Sequence, residues 1–193
     1  NTALICDPVP PPDADYIICE STYGDRIHNN CEHAEQLLLD LVVHTLKDKG
    51  GKLIIPAFSL GRTQEIVFAL NKLDMYGLLP KVKIYVDSPL AKNATDITRQ
   101  FKSQLNRNVQ RLLDSRDDPF GFSKLTYINN KSESQALNMS NTPAVIISAS
   151  GMADAGRVKH HIFHAIEDKK NTILFVGYAE PNSLGGRLQN GDD

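Results

Sequence analysis

Short runs of apolar residues alternate with segments of helical period along this chain, and that alternation narrows the possible folds more than any other feature. The runs are Lys52–Ile55 bounded by Pro56, Val82–Val86, Ala144–Ile147 and Thr172–Val176, with Leu125–Ile128 as a shorter one. Taken as a set they are continuous apolar runs, not the polar–apolar alternation of a strand with one wet face. Strands of this kind are buried on both faces, as in a parallel sheet covered by helices. Between them lie periodic segments. One carries Leu37, Leu38, Leu41, Val42 and Thr45 after a capping pair, Asn29 and Glu32, and stops at Gly50-Gly51. Another begins near Gly61, buries Ile66, Val67, Leu70 and Leu73, and closes at Gly77. Residues 89–118 read as mostly helical, anchored by Ile97, Phe101, Leu105, Val109 and Leu112. Asn130 and Glu133 open a short helix, and Arg157–Glu167 forms another that buries Val158, Ile162 and Ile166. The fold class is therefore α/β: a three-layer α/β/α sandwich around a mostly parallel sheet of about five main strands. Tyr16–Cys19, after the PVPPP stretch at 8–12, reads as one further strand with Cys19 as a small core residue.

Composition sets limits on function. At 193 residues and 41% hydrophobic, the chain can bury one good-sized core. It has no apolar run long enough for a transmembrane helix, and no membrane partner is expected. The formal charge of -2 provides no broad basic footprint, so a polyanion would have to be held by a local site. Cys6, Cys19 and Cys31 form neither a disulfide framework nor a CxxC pair, which fits reduced thiols in the cytoplasm. The chain begins with Asn1, not Met, which reads as a processed chain or an excised piece, and the polar stretch at 182–193 reads as the chain leaving the domain.

The polar chemistry sits in the turns that follow the strands. In a parallel sheet these turns share one edge, and ligands bind outside the carboxyl ends of the strands. Ser59, Ser88, Ser148 and Ser150 lie there beside predicted helix starts, where free N–H groups and the helix dipole favour phosphate. Arg62 falls in a first helical turn, an unfavourable place for a cation unless an anion or a carboxylate such as Glu65 accompanies it. Arg157 could close on the same phosphate. The plain alternatives are helix caps for Ser59 and Ser88, a surface ion pair for Arg62 and a turn residue for Gly151. His160, His161 and His164 read as surface histidines of one helix. His160 and His164 share a face, but no cysteine or carboxylate completes a metal set. Arg107 and Arg111 read as a solvated face. Neither a G-x-G-x-x-G nor a Walker A motif is present, and Ser150 is not in a G-x-S-x-G elbow.

Five segments occur in order: ESTYGDR at 20–26, IPAFSLGRTQE at 55–65, VDSPLA at 86–91, SASGM at 148–152 with Gly156, and FVGY at 175–178. Together they resemble the β-CASP branch of the metallo-β-lactamase superfamily, a group of RNA-processing nucleases. The resemblance implies that residues 1–24 end a first lactamase segment, that 25–180 are the β-CASP insertion and that 181–193 begin the return into the lactamase domain. It implies two zinc ions in the complete parent enzyme, held by an H-x-H-x-D-H motif that this chain lacks, and none held here. Glu20 takes the place of the family's acidic residue near the metal cleft. Ser59, Arg62, Ser88, Ser148, Ser150, Gly151 and Arg157 are then expected to hold substrate phosphates. The implied role is an RNA-gripping part of a zinc-dependent ribonuclease, inactive in isolation. Its partners would be single-stranded RNA, the lactamase domain and, through the face left uncovered, a second copy of the chain. A DNA nuclease and a non-catalytic structural or RNA-binding partner are the alternatives, because nothing in the residues reads a 2′-hydroxyl.

Overall fold

The computed structural model describes residues 4–25, 33–115 and 118–191, so the capping pair Asn29 and Glu32, Arg26 and Cys31 lie outside the described residues. The strands are β1 (Leu53–Pro56), β2 (Lys83–Asp87), β3 (Leu125–Tyr127), β4 (Ala144–Ser148) and β5 (Thr172–Ile173). All pair in parallel, in the order β3-β2-β4-β1-β5. Ile54 lies opposite Ile146, and Ile146 opposite Tyr85, so the central strands run in step to their carboxyl ends.

The helices are α1 (Ala34–Val43, prolonged by a π-helical turn at His44–Asp48), α2 (Arg62–Met75), α3 (Pro89–Gln100), α4 (Arg107–Asp114), α5 (Lys131–Met139), α6 (Arg157–Ala165) and α7 (Leu184–Asn190). Strand side chains alternate between the two sheet faces. Leu53, Ile55, Val86 and Ile147 join Val42 of α1, Leu70 of α2 and Val109 of α4 in the larger core. Ile54 points the other way, onto Val158, Ile162 and Ala165 of α6. With α5 packed on α6, this gives the expected three layers.

Several finer expectations are corrected. In α1 the buried positions are Leu39 and Val42, continuing to Thr45 and Leu46, while Leu37 is exposed. The run LLLDLVV is apolar almost all round, so its period does not fix the rotation, and packing against α2 does. The mostly helical stretch from residue 89 is divided into two helices. α3 ends at Phe101, a 3₁₀ turn follows at Lys102–Gln104, and Asn106 caps α4 by accepting from the N–H groups of Asn108 and Val109. Leu105 and Val109 are buried, but Ile97 and Phe101 face solvent, as does Ile166 beyond α6. β5 is shorter than its apolar run, although the Leu174 N–H still donates to the Ile54 carbonyl at 2.8 Å. Tyr16–Cys19 is not a strand. Ile18 is fully exposed and Cys19 is exposed, and among the described residues no strand runs beside this segment to pair with it. Upstream, Leu4–Cys6 is tied to the turn before α4 by Asn106 N–H to the Leu4 carbonyl (2.8 Å) and Cys6 N–H to the Gln104 carbonyl (3.1 Å).

Candidate functional site at the carboxyl edge

β2 ends in Asp87, whose side chain is entirely buried. Its Oδ1 accepts from Arg157 Nη1 at 2.6 Å, and its Oδ2 from His161 Nε2 at 2.7 Å and Ser134 Oγ at 2.5 Å. Its backbone carbonyl accepts from Ser148 Oγ at 2.9 Å. Burial disfavours the carboxylate, but the bonds from His161, Ser134 and Arg157 outweigh it and hold the Asp87 pKa below its ordinary value. Arg157 also donates through Nη2 to the Asn129 carbonyl at 3.0 Å, and His161 Nδ1 lies 2.6 Å from Asn138 Oδ1. His161 is therefore not a surface histidine. It is 1% exposed and belongs to this cluster, whereas His160 and His164 are at the surface as expected. The sequence did hold a signal: Arg157 and His161 are four apart on one helical face, and Asp87 closes an apolar strand.

The β1–α2 and β2–α3 turns meet at two buried hydroxyls, Ser59 Oγ and Ser88 Oγ, 3.2 Å apart. Ser88 is the N-cap of α3 and accepts from the Ala91 N–H at 3.1 Å. Gln64 braces the pair from below, donating to the Ser59 carbonyl (3.1 Å) and Thr95 Oγ1 (2.9 Å). Next to this interior lies an open rim. Phe58, Leu60 and Leu90 are exposed, and Arg62 projects from the first turn of α2 with its Nη1 2.7 Å from Glu65 Oε2. α2 and α6 open on Gly61 and Gly156 and have no side-chain cap, unlike α3.

The β4–α6 turn carries Ser150 and Gly151. Ser150 Oγ donates to the Ala155 carbonyl at 3.3 Å, and a Cβ on Gly151 would sit 3.4 Å from the Phe58 nitrogen. Gly156 has φ +81, and a Cβ there would fall 2.3 Å from the Ala149 carbonyl oxygen, so both backbone conformation and space demand glycine. On its outer side the turn is fastened to α7 by Gly185 N–H to the Met152 carbonyl (2.8 Å) and Leu184 N–H to Asp154 Oδ1 (2.7 Å). Glu20 arrives on the N-terminal segment. It is exposed, its carboxylate accepts from the Thr22 N–H at 2.9 Å, and that bond lowers its pKa. Tyr23 meets Tyr178 edge-to-face at 6.0 Å, which joins the Glu20 turn to the turn after β5.

The expected site residues thus fall into two sets. Ser59 with Ser88, and Ser148 with Arg157, are drawn into interior contacts. Arg62 is exposed on the rim, and Ser150 and Gly151 are half-buried in the turn against Phe58. Among the described residues no group of three or more His, Cys, Asp or Glu side chains could hold a metal ion.

Fold and edge define the class: a parallel α/β/α domain whose carboxyl edge is built from serine- and glycine-bearing turns at helix starts. Comparison with known proteins narrows it further. Residues 63–188 match the Beta-Casp domain family. The chain is 34% identical over 186 residues to Ribonuclease TTHA0252 of Thermus thermophilus, which covers 96% of this chain and 42% of that protein. It is 32% identical to Endoribonuclease YSH1 of Yarrowia lipolytica (94% of this chain, 22% of that one). Against Transcription termination factor FttA of Methanosarcina mazei the identity is 31% (93% and 28%). The chain belongs to the β-CASP branch of the metallo-β-lactamase superfamily, a family of RNA-processing nucleases. It spans less than half the length of these relatives.

Proposed function

We propose that this chain is the substrate-gripping β-CASP portion of a zinc-dependent ribonuclease, with single-stranded RNA as its ligand. The observation that carries the reading is the common register of β1, β4 and β2, which delivers the Phe58–Arg62, Ser148–Gly156 and Ser88–Leu90 turns to one edge of a domain of this family. Two of the relatives are a ribonuclease and an endoribonuclease by name. Arg62, Ser150 and the backbone around Gly151 would touch phosphate, and Ser59, Ser88, Ser148 and Arg157, drawn into interior contacts, would support them from behind. Phe58, 66% exposed beside Gly151, offers a ring on which an unpaired base can stack.

In this reading residues 1–24 and 181–193 belong to the lactamase portion, and 25–180 form the β-CASP domain. The exposed Tyr16–Cys19 run fits that division, since its apolar side chains await a cover. Glu20 would stand near the metal cleft of the parent protein. Zinc bound in the lactamase portion would supply an activated water. The residues of this chain would orient the strand to be cut. Exposed free thiols at Cys6 and Cys19 fit the cytoplasm, and no described helix is long and apolar enough to cross a membrane.

The test is a titration of the chain with a short single-stranded RNA and a DNA of the same sequence at several salt concentrations. Binding that favours RNA and weakens linearly in log–log salt supports the reading. Equal binding of DNA would favour a DNA nuclease of the same superfamily. A folded chain that binds neither at low salt would refute the grip.

A further inference from the structure

The polar cluster at the end of β2 does more than satisfy a buried carboxylate. Its members come from five successive segments: Asp87 from β2, the Asn129 carbonyl after β3, Ser134 and Asn138 from α5, Ser148 from β4, and Arg157 and His161 from α6. Two of them also begin ligand-edge turns. Asp87 directly precedes Ser88, and Ser148 opens the turn that runs to Gly156. The Ser148 hydroxyl proton is spent on the Asp87 carbonyl, and the Arg157 guanidinium is held on one nitrogen by a carboxylate and on the other by a carbonyl. A planar fork fixed at two points has little freedom to follow a moving ligand.

We propose that Asp87, His161 and Arg157 form a positioning node that holds the Ser88 turn and the Ser148–Gly156 turn in one relative geometry, with Arg157 acting as a strut and not as a phosphate ligand. The affinity readout below rests on the RNA grip proposed above. The structural readout does not. A ligand and a strut differ in salt dependence. Removing a cation that neutralises a phosphate lowers the slope of log K against log salt by about one, whereas misplacing other contacts weakens binding and leaves the slope alone.

The experiment measures binding of a short fluorescent uridine oligonucleotide to this chain and to its Arg157→Gln, Asp87→Asn and Arg62→Ala variants across a salt series. Amide NMR spectra of each are recorded without RNA. The expected result is a loss of about tenfold in affinity for Arg157→Gln and for Asp87→Asn, with the wild-type slope. Their double variant should lose little more than either alone, because both act through one geometry. Arg62→Ala should lower the slope. Amide signals of both turns should move together in Arg157→Gln. If the charged variants do not fold, Ser134→Ala, which trims one bond from the same carboxylate, takes their place. A slope reduced by about one in Arg157→Gln would make Arg157 a ligand and overturn the proposal. If the wild-type chain binds no RNA, the grip fails on its own. The spectra then decide the node: shifts in both turns support it, and shifts confined to the immediate contacts of residue 157 overturn it.

Discussion

At the carboxyl edge Asp87, Ser148 and His161 are turned inward, while the β1–α2 turn buries Ser59 but leaves Phe58 and Arg62 outside. Asp87 and His161 have 0% and 1% exposure, and every carboxylate oxygen of Asp87 is bonded. A few residues away, Arg62 has half its side chain in solvent and a single carboxylate for company, beside an exposed Phe58. Both regions pair an arginine in a first helical turn with a carboxylate, Arg157 with Asp87 and Arg62 with Glu65. What separates them is burial, which multiplies the cost of losing a partner inside and leaves an exposed pair nearly neutral.

Substitutions can break this contrast or sharpen it. Asp87→Ala strands Arg157 and His161 without their acceptor and is expected to cost about 3–5 kcal/mol in urea unfolding, since it leaves buried charge uncompensated. A loss under about 1 kcal/mol would mean that water reaches the cluster. Phe58→Ala should leave stability within about 0.5 kcal/mol of wild type. It should weaken single-stranded RNA binding by about 1–3 kcal/mol, the worth of one stacked base, measured by fluorescence titration. Acid separates the regions more gently. The folded pKa of Asp87 lies below its ordinary value, so its contribution is fully present above about pH 3.9 and is lost as pH falls through the lowered folded value. Asp87→Asn should therefore flatten the acid limb of a stability–pH curve by up to about 1.4 kcal/mol per pH unit, and Arg62→Ala should not. Arg62→Ala should also change stability little, within about 1 kcal/mol by thermal unfolding, because its ion pair is exposed.

How far the sequence could be read follows the same division between periodic and assembled features. Continuous apolar runs specify β1, β2 and β4 because burial on both faces leaves a one-dimensional trace. The α2 stripe of Ile66, Val67, Leu70 and Leu73 is buried as its period requires. Where apolar residues crowd every side, as at Leu37–Val43, the period is lost and only the packed neighbour selects the face. Tyr16–Cys19 has the composition of a strand but no partner strand among the described residues, and pairing is not a local property. At the edge, Ser88 as a cap was legible from its place before Pro89. His161 was not singled out from its two neighbours, because its partners Asp87 and Asn138 are 74 and 23 residues away.

The seam between α7 and the β4–α6 turn has a practical consequence. A Cβ on Gly186 would fall 2.1 Å from the Glu180 carbonyl oxygen, and one on Gly185 2.8 Å from that of Met152, so the chain leaving the sheet is clasped against the loop that carries Ser150 and Gly151. Any tug on the outgoing polypeptide is thereby transmitted to that loop. A shortened version of the domain ending before Leu184 would release the clasp along with the tail, and a reporter fused there would report on the loop as well as on itself.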